Sequence, residues 1–306
     1  MTTLDLKQIQ ISSAIDLFSK GEINQALDAV QGLLKDYPNE PVLFNIKGAC
    51  YADLGQLDVA ITNYKEAITI KPDYAKAHFN LAGSLHDLGQ LETAVQSYQK
   101  ALEIDASYTE AYNNLGNVYQ ELKQFDSAVQ SYQKALEIKP DYVAAQYSLG
   151  NTFMELGQLE EAVKSYKAAL KLKPDFVEAI NNLGITFFKL HQLDDAIRSY
   201  EKAIALDPDF ADAHNNIGIV YLDLGQLDEA AQSYKAALKL KPEFVEAHYN
   251  LGVVFQDLGQ IEDATESYKN VIAIDKGFFK AHNNLGVALL DLDQFDEAVE
   301  SYKAAL

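Results

Sequence analysis

The residues from Thr109 to Tyr142 read TEAYNNLGNVYQELKQFDSAVQSYQKALEIKPDY, and the same residue types return 34 residues later. Copies begin at Lys7, Pro41, Ala75, Thr109, Val143, Val177, Ala211, Val245 and Phe279. A fixed period of this length marks a solenoid, in which each unit buries its apolar face only by stacking on its neighbours.

With Thr109 as position 1, apolar or small residues mostly fill positions 3, 4, 7, 8, 10, 11 and 14, which cover one face of a helix. A second set at 17, 20, 21, 24, 27, 28 and 30 does the same. Each unit is therefore two amphipathic helices, A and B, and the expected fold class is all-α. Position 15 is glycine in Gly21, Gly55, Gly89, Gly157, Gly225 and Gly259, where a left-handed residue can end helix A. Position 18 is acidic from Asp58 to Asp296, at the start of helix B, where the helix dipole favours it. Prolines such as Pro72, Pro140 and Pro174 at position 32 stop helix B. Glycine at position 8 (Gly116, Gly184, Gly218) costs helix propensity, so a close helix contact is its expected reason. Tyrosine at position 24, from Tyr64 to Tyr302, is expected to fill the space between units.

The organisation read this way is a degenerate first repeat acting as an N-terminal cap over residues 1–40, then an array over 41–306. The array's repeats start at 41, 75, 109, 143, 177, 211, 245 and 279, the last ending at Leu306 without a capping unit. Self-association through that last repeat is an expectation that follows.

The chain has 25 basic and 45 acidic residues, a net charge of −20. Such a field repels phosphate backbones and argues against nucleic acid and anionic membrane. No apolar run approaches the roughly 20 residues that span a bilayer, and Met1 to Gln10 lacks a basic-then-apolar leader pattern. Cys50 stands alone, so neither an internal disulfide nor a thiolate zinc site is available. A cytoplasmic location is the expectation.

The helix pair, the period and the L-G … Y … G … A … Y … A … P series resemble the tetratricopeptide repeat, from about Lys7 to Leu306. The recurring Asn-Asn-Leu-Gly from Asn113, Asn181 and Asn283 is most similar to the N-terminal superhelix of O-linked N-acetylglucosamine transferases and their bacterial relatives. The resemblance implies a right-handed superhelix with the A helices on the concave side, binding protein or peptide there. No glycosyltransferase domain is present in these residues, so no such activity carries over.

On a helical wheel, positions 2, 5, 6, 9, 12 and 13 of helix A fall opposite the core stripe. Position 6 is Asn80, Asn114, Ser148, Asn182, Asn216, Asn250 and Asn284. An asparagine amide can pair with both the N–H and the C=O of a peptide bond. Packed helices sit about 8–10 Å apart and an extended chain advances about 3.3–3.6 Å per residue, so one asparagine would meet roughly every third ligand residue. The alternative is an amide bonded to the adjoining repeat or to water. Position 13 is Asp53, Asp87, Glu121, Glu155, Asp223, Asp257 and Asp291, interrupted by Lys189. These acids oppose the dipole at the end of helix A, which marks either a groove for basic ligands or a solvated, lysine-paired face. Carboxylate clamping is not expected, since no copy from Ala75 onward has lysine at position 5 or arginine at position 6.

His78, His214, His248 and His282 share position 4, too far apart in stacked repeats to ligate one metal ion, and read as aromatic-like fillers. The position-23 serines lack a paired base, and no phosphate loop or dinucleotide fingerprint occurs. The expected function is a non-catalytic scaffold, without cofactor or metal, that holds an extended neutral or basic segment of another protein. The competing expectation is the substrate-recognition arm of a larger glycosyltransferase- or sulfotransferase-like enzyme.

Alanine at position 20 throughout, from Ala26 to Ala298, places it in a tight contact. Ala128→Leu is therefore expected to cost roughly 1–3 kcal/mol of stability by overpacking. A variant that melts with the parent would move position 20 out of the core.

Overall fold

A computed structural model describes residues 3–306. Met1 and Thr2, which belong to the leader and capping-segment expectations, lie outside the described residues. Among the described residues there are eighteen helices and no strand. The chain divides into two compact units, Met1–Leu156 and Gly157–Leu306.

The first unit holds α1 (Thr3–Ser19), α2 (Ile23–Asp36), α3 (Pro41–Asp53), α4 (Leu57–Ile70), α5 (Ala75–Asp87), α6 (Leu91–Ile104), α7 (Thr109–Glu121), α8 (Phe125–Ile138) and α9 (Val143–Glu155). The second holds α10 (Leu159–Leu172), α11 (Val177–Lys189), α12 (Leu193–Leu206), α13 (Ala211–Asp223), α14 (Leu227–Leu240), α15 (Val245–Asp257), α16 (Ile261–Ile274), α17 (Phe279–Asp291) and α18 (Phe295–Ala304). From α3 onward odd-numbered helices are A and even-numbered ones B, and every A helix starts at position 1 and ends at position 13. Only α1 departs, starting at Thr3, four residues ahead of the repeat pattern.

The A-to-B turn shows why these boundaries are sharp. The Gln90 N–H donates to the Leu85 carbonyl at 2.9 Å and the Gly89 N–H to His86 at 2.8 Å, the paired bonds of a helix closed by one left-handed residue. Gly89 has φ +72° there. Lys123, His191 and Asp293 occupy the same position with φ of 56–57°, in a region L-residues adopt at a cost. At the other end, the position-31 lysines cap helix B and lie over the aromatic three residues on: Lys71 over Tyr74, Lys139 over Tyr142, Lys241 over Phe244 at 4.5 Å.

The core repeats with the sequence. Ala60, Ala94 and Ala128 are fully buried in the first unit, as are Ala230, Ala264 and Ala298 in the second. Tyr98, Tyr132, Tyr200, Tyr234 and Tyr268 are also buried. Each of these rings except Tyr98 lies against the position-8 glycine of its own repeat. A Cβ on Gly116 would stand 2.6 Å from Tyr132 Cε1, and one on Gly252 would stand 2.6 Å from Tyr268 Cε1. The tyrosine thus closes the A–B contact within a repeat rather than filling only the gap between units.

Gly116→Ala must displace Tyr132 and is expected to cost about 1–3 kcal/mol. Gly83→Ala, whose nearest non-local atom would be 3.8 Å away, should be neutral or stabilising by up to about 1 kcal/mol. Denaturant melts of the two variants compare them directly. Equal losses would show that the helix backbone, and not the ring, sets the requirement for glycine.

Burial pushes the Tyr98, Tyr108 and Tyr268 hydroxyls up to about 12, and moves Tyr64, Tyr132, Tyr200 and Tyr234 in the same direction. An unfolded tyrosine ionises near 10. Above that pH the unfolded chain loses protons that the folded chain keeps, so the contribution is complete below pH 10 and drains away as pH rises through 12. Each such tyrosine adds up to about 1.4 kcal/mol per pH unit in that window. Thermal melts from pH 9 to 12 should show a steep fall in Tm, and a flat profile would place the hydroxyls in water.

Candidate functional site

The A side of each unit is its inner side. In the first unit α3 touches α5, α5 touches α7 and α7 touches α9, and in the second α11 touches α13 and α13 touches α15, whereas successive B helices make no comparable contact. A stack tighter along its A helices curves toward them. Two clefts open on this side of the first unit. One, of about 390 Å³, is lined by His86, Asn117, Gln120, Glu121, Ser148 and Asn151. The other, of about 300 Å³, includes Ile15, Phe18, Asn45, Asp53 and Asn80.

The asparagine arc sits on this side with most of its amides engaged. Asn80 donates to Asn45 Oδ1 and Asn216 donates to Asn181 Oδ1, each at 3.0 Å. Asn284 donates to the Tyr249 and Tyr268 hydroxyls at 3.3 and 3.4 Å. Asn114 bonds the Tyr98 hydroxyl and accepts from Asn113 Nδ2 at 3.2 Å. The Ser148 hydroxyl bonds that of Tyr132. Asn182 is also partnered. Asn250 differs: it is half-buried and no side-chain hydrogen bond is found for it among the described residues.

Position 5 leaves the open arc in four repeats, whereas Asn283 in the repeat at 279 is exposed. Asn45, Asn113, Asn181 and Asn215 are all about 5% exposed or less, wedged where one A helix meets the next. The wheel misplaces them because it weighs helix A against one partner, and a stacked A helix has several. Two of these amides, Asn113 and Asn215, bury an Oδ1 with no hydrogen-bond partner.

The position-13 acids are the last residues of the A helices and are exposed. Glu121 pairs with His86 at 2.6 Å. Among the described residues none of the others has a cationic partner. The basic side chains are engaged elsewhere: Lys100 with Glu103, Lys134 with Glu137, Lys164 with Glu161 and Arg198 with Asp195 are i,i+3 pairs on B helices. The lysine-paired alternative for position 13 is not what these contacts form.

The position-4 histidines are more than apolar filler. Their Nε2 atoms lie 3.0 Å from the Pro72 carbonyl oxygen for His78, 3.1 Å from Pro208 for His214, 2.9 Å from Pro242 for His248 and 3.1 Å from Lys276 for His282. A carbonyl only accepts, so each ring carries its proton on Nε2 and ties the B-to-A loop to the next A helix. Only the recurrence of a polar ring at a core-facing position could have signalled this in the sequence. Among the described residues no group of three His, Cys, Asp or Glu is placed to hold a metal. No helix among them is long and apolar enough to cross a membrane.

Positions 9 and 12 of helix A flank the place where the position-24 hydroxyl reaches the A side. The Tyr132 hydroxyl lies 2.7 Å from Asn117 Oδ1 and 3.2 Å from Gln120 Oε1. The Tyr268 hydroxyl donates to Gln256 Oε1 at 3.0 Å. In the repeat at 211 these positions are Ile219 and Leu222, and the buried Tyr234 hydroxyl has no partner. An unpaired buried hydroxyl costs about 1–3 kcal/mol.

This is an α-solenoid of paired helices, and the comparisons give its class. The model of the Cilia and flagella-associated protein 70 C-terminal domain, a tetratricopeptide repeat array, matches residues 104–306, and the TPR repeat model matches 48–86 and 83–123. The chain belongs to the tetratricopeptide repeat family. It is 29% identical over 84 residues to the peroxisomal targeting signal receptor of Saccharomyces cerevisiae, covering 28% of this chain and 14% of the receptor. It is 32% identical over 76 residues to that of Candida glabrata, covering 25% and 13%. The matched stretch is thus a small part of each receptor. Among solved structures, MamA protein aligns with TM-score 0.51 and 29% identity over 56% of this chain and 94% of that one. YrrB, described as a TPR protein with an unusual peptide-binding site, aligns with TM-score 0.53 and 28% identity over 60% and 95%.

Proposed function

We propose that the chain is a non-catalytic protein-interaction scaffold whose inner A face holds an extended, neutral or basic segment of another protein. The observation that carries this is electrostatic. Acids end the A helices at Asp53, Asp87, Glu155, Asp223, Asp257 and Asp291, against the dipole, with no cationic partner in the fold. They contribute nothing to stability where they stand, and a cationic ligand would supply what they lack. The asparagine arc is the second element. Its amides tie neighbouring A helices together and keep part of their capacity, since an amide offers two N–H groups and an oxygen. Asn250, whose amide the fold leaves unused, is the position from which a ligand backbone gains most. The likeness of YrrB, itself described by a peptide-binding site, supports the same class of role. The finer likeness to transferase superhelices rests on the Asn-Asn-Leu-Gly motifs alone. Burial raises the Cys50 thiol to about 11, which keeps it unreactive and accords with a cytoplasmic setting.

Titration of the protein against an arrayed peptide library tests this. Asn250→Ala removes bonds worth about 0.5–1.5 kcal/mol each, so binding should weaken about threefold to tenfold, to a similar degree across sequences, with the melt unchanged. Asp223→Asn with Asp257→Asn should weaken lysine- and arginine-rich peptides most and flatten the salt dependence. If both variants bind every peptide as the parent does, the A face is not the binding surface.

A further inference from the structure

The inner face is not chemically uniform. At positions 9 and 12 the first unit presents small or apolar residues at Ala49, Ala52, Gly83 and Met154, and polar ones at His86, Asn117, Gln120 and Asn151, which line one polar cleft. The second unit presents Ile185 with Phe188, Ile219 with Leu222, Val253 with Gln256, and Val287 with Leu290. These residues are half-buried at most, and Leu290 is 42% exposed.

Ile219, Leu222 and Val253 pack one flank on the core and leave the other partly exposed, and a polar residue at these positions would serve the fold in another way. Gln256 shows what a polar residue at position 12 does for the fold, accepting from Tyr268 at 3.0 Å. Asn117 and Gln120 do the same for Tyr132. Ile219 and Leu222 deny that bond to Tyr234, and at the same junction the buried Asn215 Oδ1 also lacks a donor. The repeat at 211 therefore forgoes hydrogen bonds where it shows apolar side chains on a partly exposed surface. Beside three of the four pairs, one residue beyond position 12, stands an acid with no cationic partner among the described residues, Asp223, Asp257 or Asp291; beside Phe188 stands Lys189.

We propose that the A face of the second unit reads apolar side chains spaced at about every third residue of a peptide whose intervening residues are basic. The proposal rests on the A-face reading above and names its ligand. The occupant is a segment of another protein, chosen by charge complementarity: the aliphatic row takes its apolar residues and the acids on one side take its lysines or arginines. An acidic apolar segment would meet repulsion at every repeat.

Two synthetic 15-residue peptides test it against the whole chain, five repeats of Leu-Lys-Ser and five of Ser-Lys-Ser, followed by fluorescence anisotropy. The parent should bind the leucine peptide at least about tenfold more tightly, a preference of the size expected from burying aliphatic groups. Ile219→Asn with Leu222→Gln should abolish that preference; it supplies acceptors to Tyr234 but removes apolar packing on the core, so its melt is followed alongside binding. Leu290→Gln, at the most exposed member of the row, should reduce the preference without touching the core, and it decides the matter if the double variant folds poorly. Asn250→Ala should weaken both peptides and leave their ratio intact. A leucine preference that survives both the double variant and Leu290→Gln overturns the proposal. Equal binding of the two peptides by the parent overturns it and leaves the A-face reading standing. No binding of either overturns both.

Discussion

The contact on which the array depends is a tyrosine ring laid against a glycine backbone. Where position 8 is glycine, helix A offers no side chain opposite position 24, and the ring of helix B fills that space to within 2.6–2.8 Å of where a Cβ would be. The contact fixes how closely A and B approach, and it consumes most of a large apolar surface per repeat. It has a second consequence. A phenol buried ring-first leaves its hydroxyl at the far side of helix A, under the inner face. From the repeat at 41 to that at 245, the position-24 tyrosine thus delivers a buried polar atom to the A side. Positions 9 and 12 of the same repeat, and position 6 of the next, are the neighbours that can satisfy it.

Much of this was legible in the residue pattern. The period gave the solenoid. Glycine, acid and proline at positions 15, 18 and 32 gave helix ends that match the observed A and B boundaries, because each acts through local backbone chemistry that no neighbour can override. The glycine at position 8 correctly signalled a close contact. The wheel failed at position 5, where Asn45, Asn113, Asn181 and Asn215 are buried. A helix in a stack meets its own B, the preceding B and the flanking A helices, and only the first of these is implied by a single unit. The same limit hid the histidine ties, since their acceptors are carbonyls of the preceding loop. It also hid which asparagines are engaged, because bonds such as Asn80 to Asn45 join equivalent helices of different repeats. Lys123, His191 and Asp293 show the converse. The left-handed turn forms even without glycine, because the flanking helices and the two closing hydrogen bonds determine it.

Charge distribution separates the two helix types. On B helices acids stand in the first turn and several lysines end the helix or pair three residues along, although Asp105, Asp207 and Asp275 cap the C-terminal ends of α6, α12 and α16. On A helices that end in an acid, Glu121 beside His86 apart, the acid has neither a cationic partner among the described residues nor a favourable dipole. An exposed charge of this kind disfavours the fold by a few tenths of a kcal/mol, small enough to be carried at every repeat. Repetition then adds what single sites lack. Acids at equivalent places on successive A helices, interrupted at Lys189, add to a negative field along the A side of each unit.

Repeat architecture makes room for the chemical variation at positions 9 and 12. In a stack whose stability is a sum of nearest-neighbour terms, a lost hydrogen bond at one junction weakens that junction and leaves the others as they were. In a single-core domain the same unpaired hydroxyl would count against the whole cooperative unit. The repeat at 211 can therefore carry Ile219 and Leu222 over an unsatisfied Tyr234 while the tyrosine-on-glycine contact beneath, Tyr234 against Gly218, stays the same as in its neighbours. The scaffold is held by positions 8, 20 and 24, which barely vary. The surface is written at 9 and 12, which do, and the tyrosine hydroxyl is the one atom that both sets share. At that atom a gain in hydrogen bonding for the fold is a loss of apolar surface on the A face, so the two demands compete in each repeat.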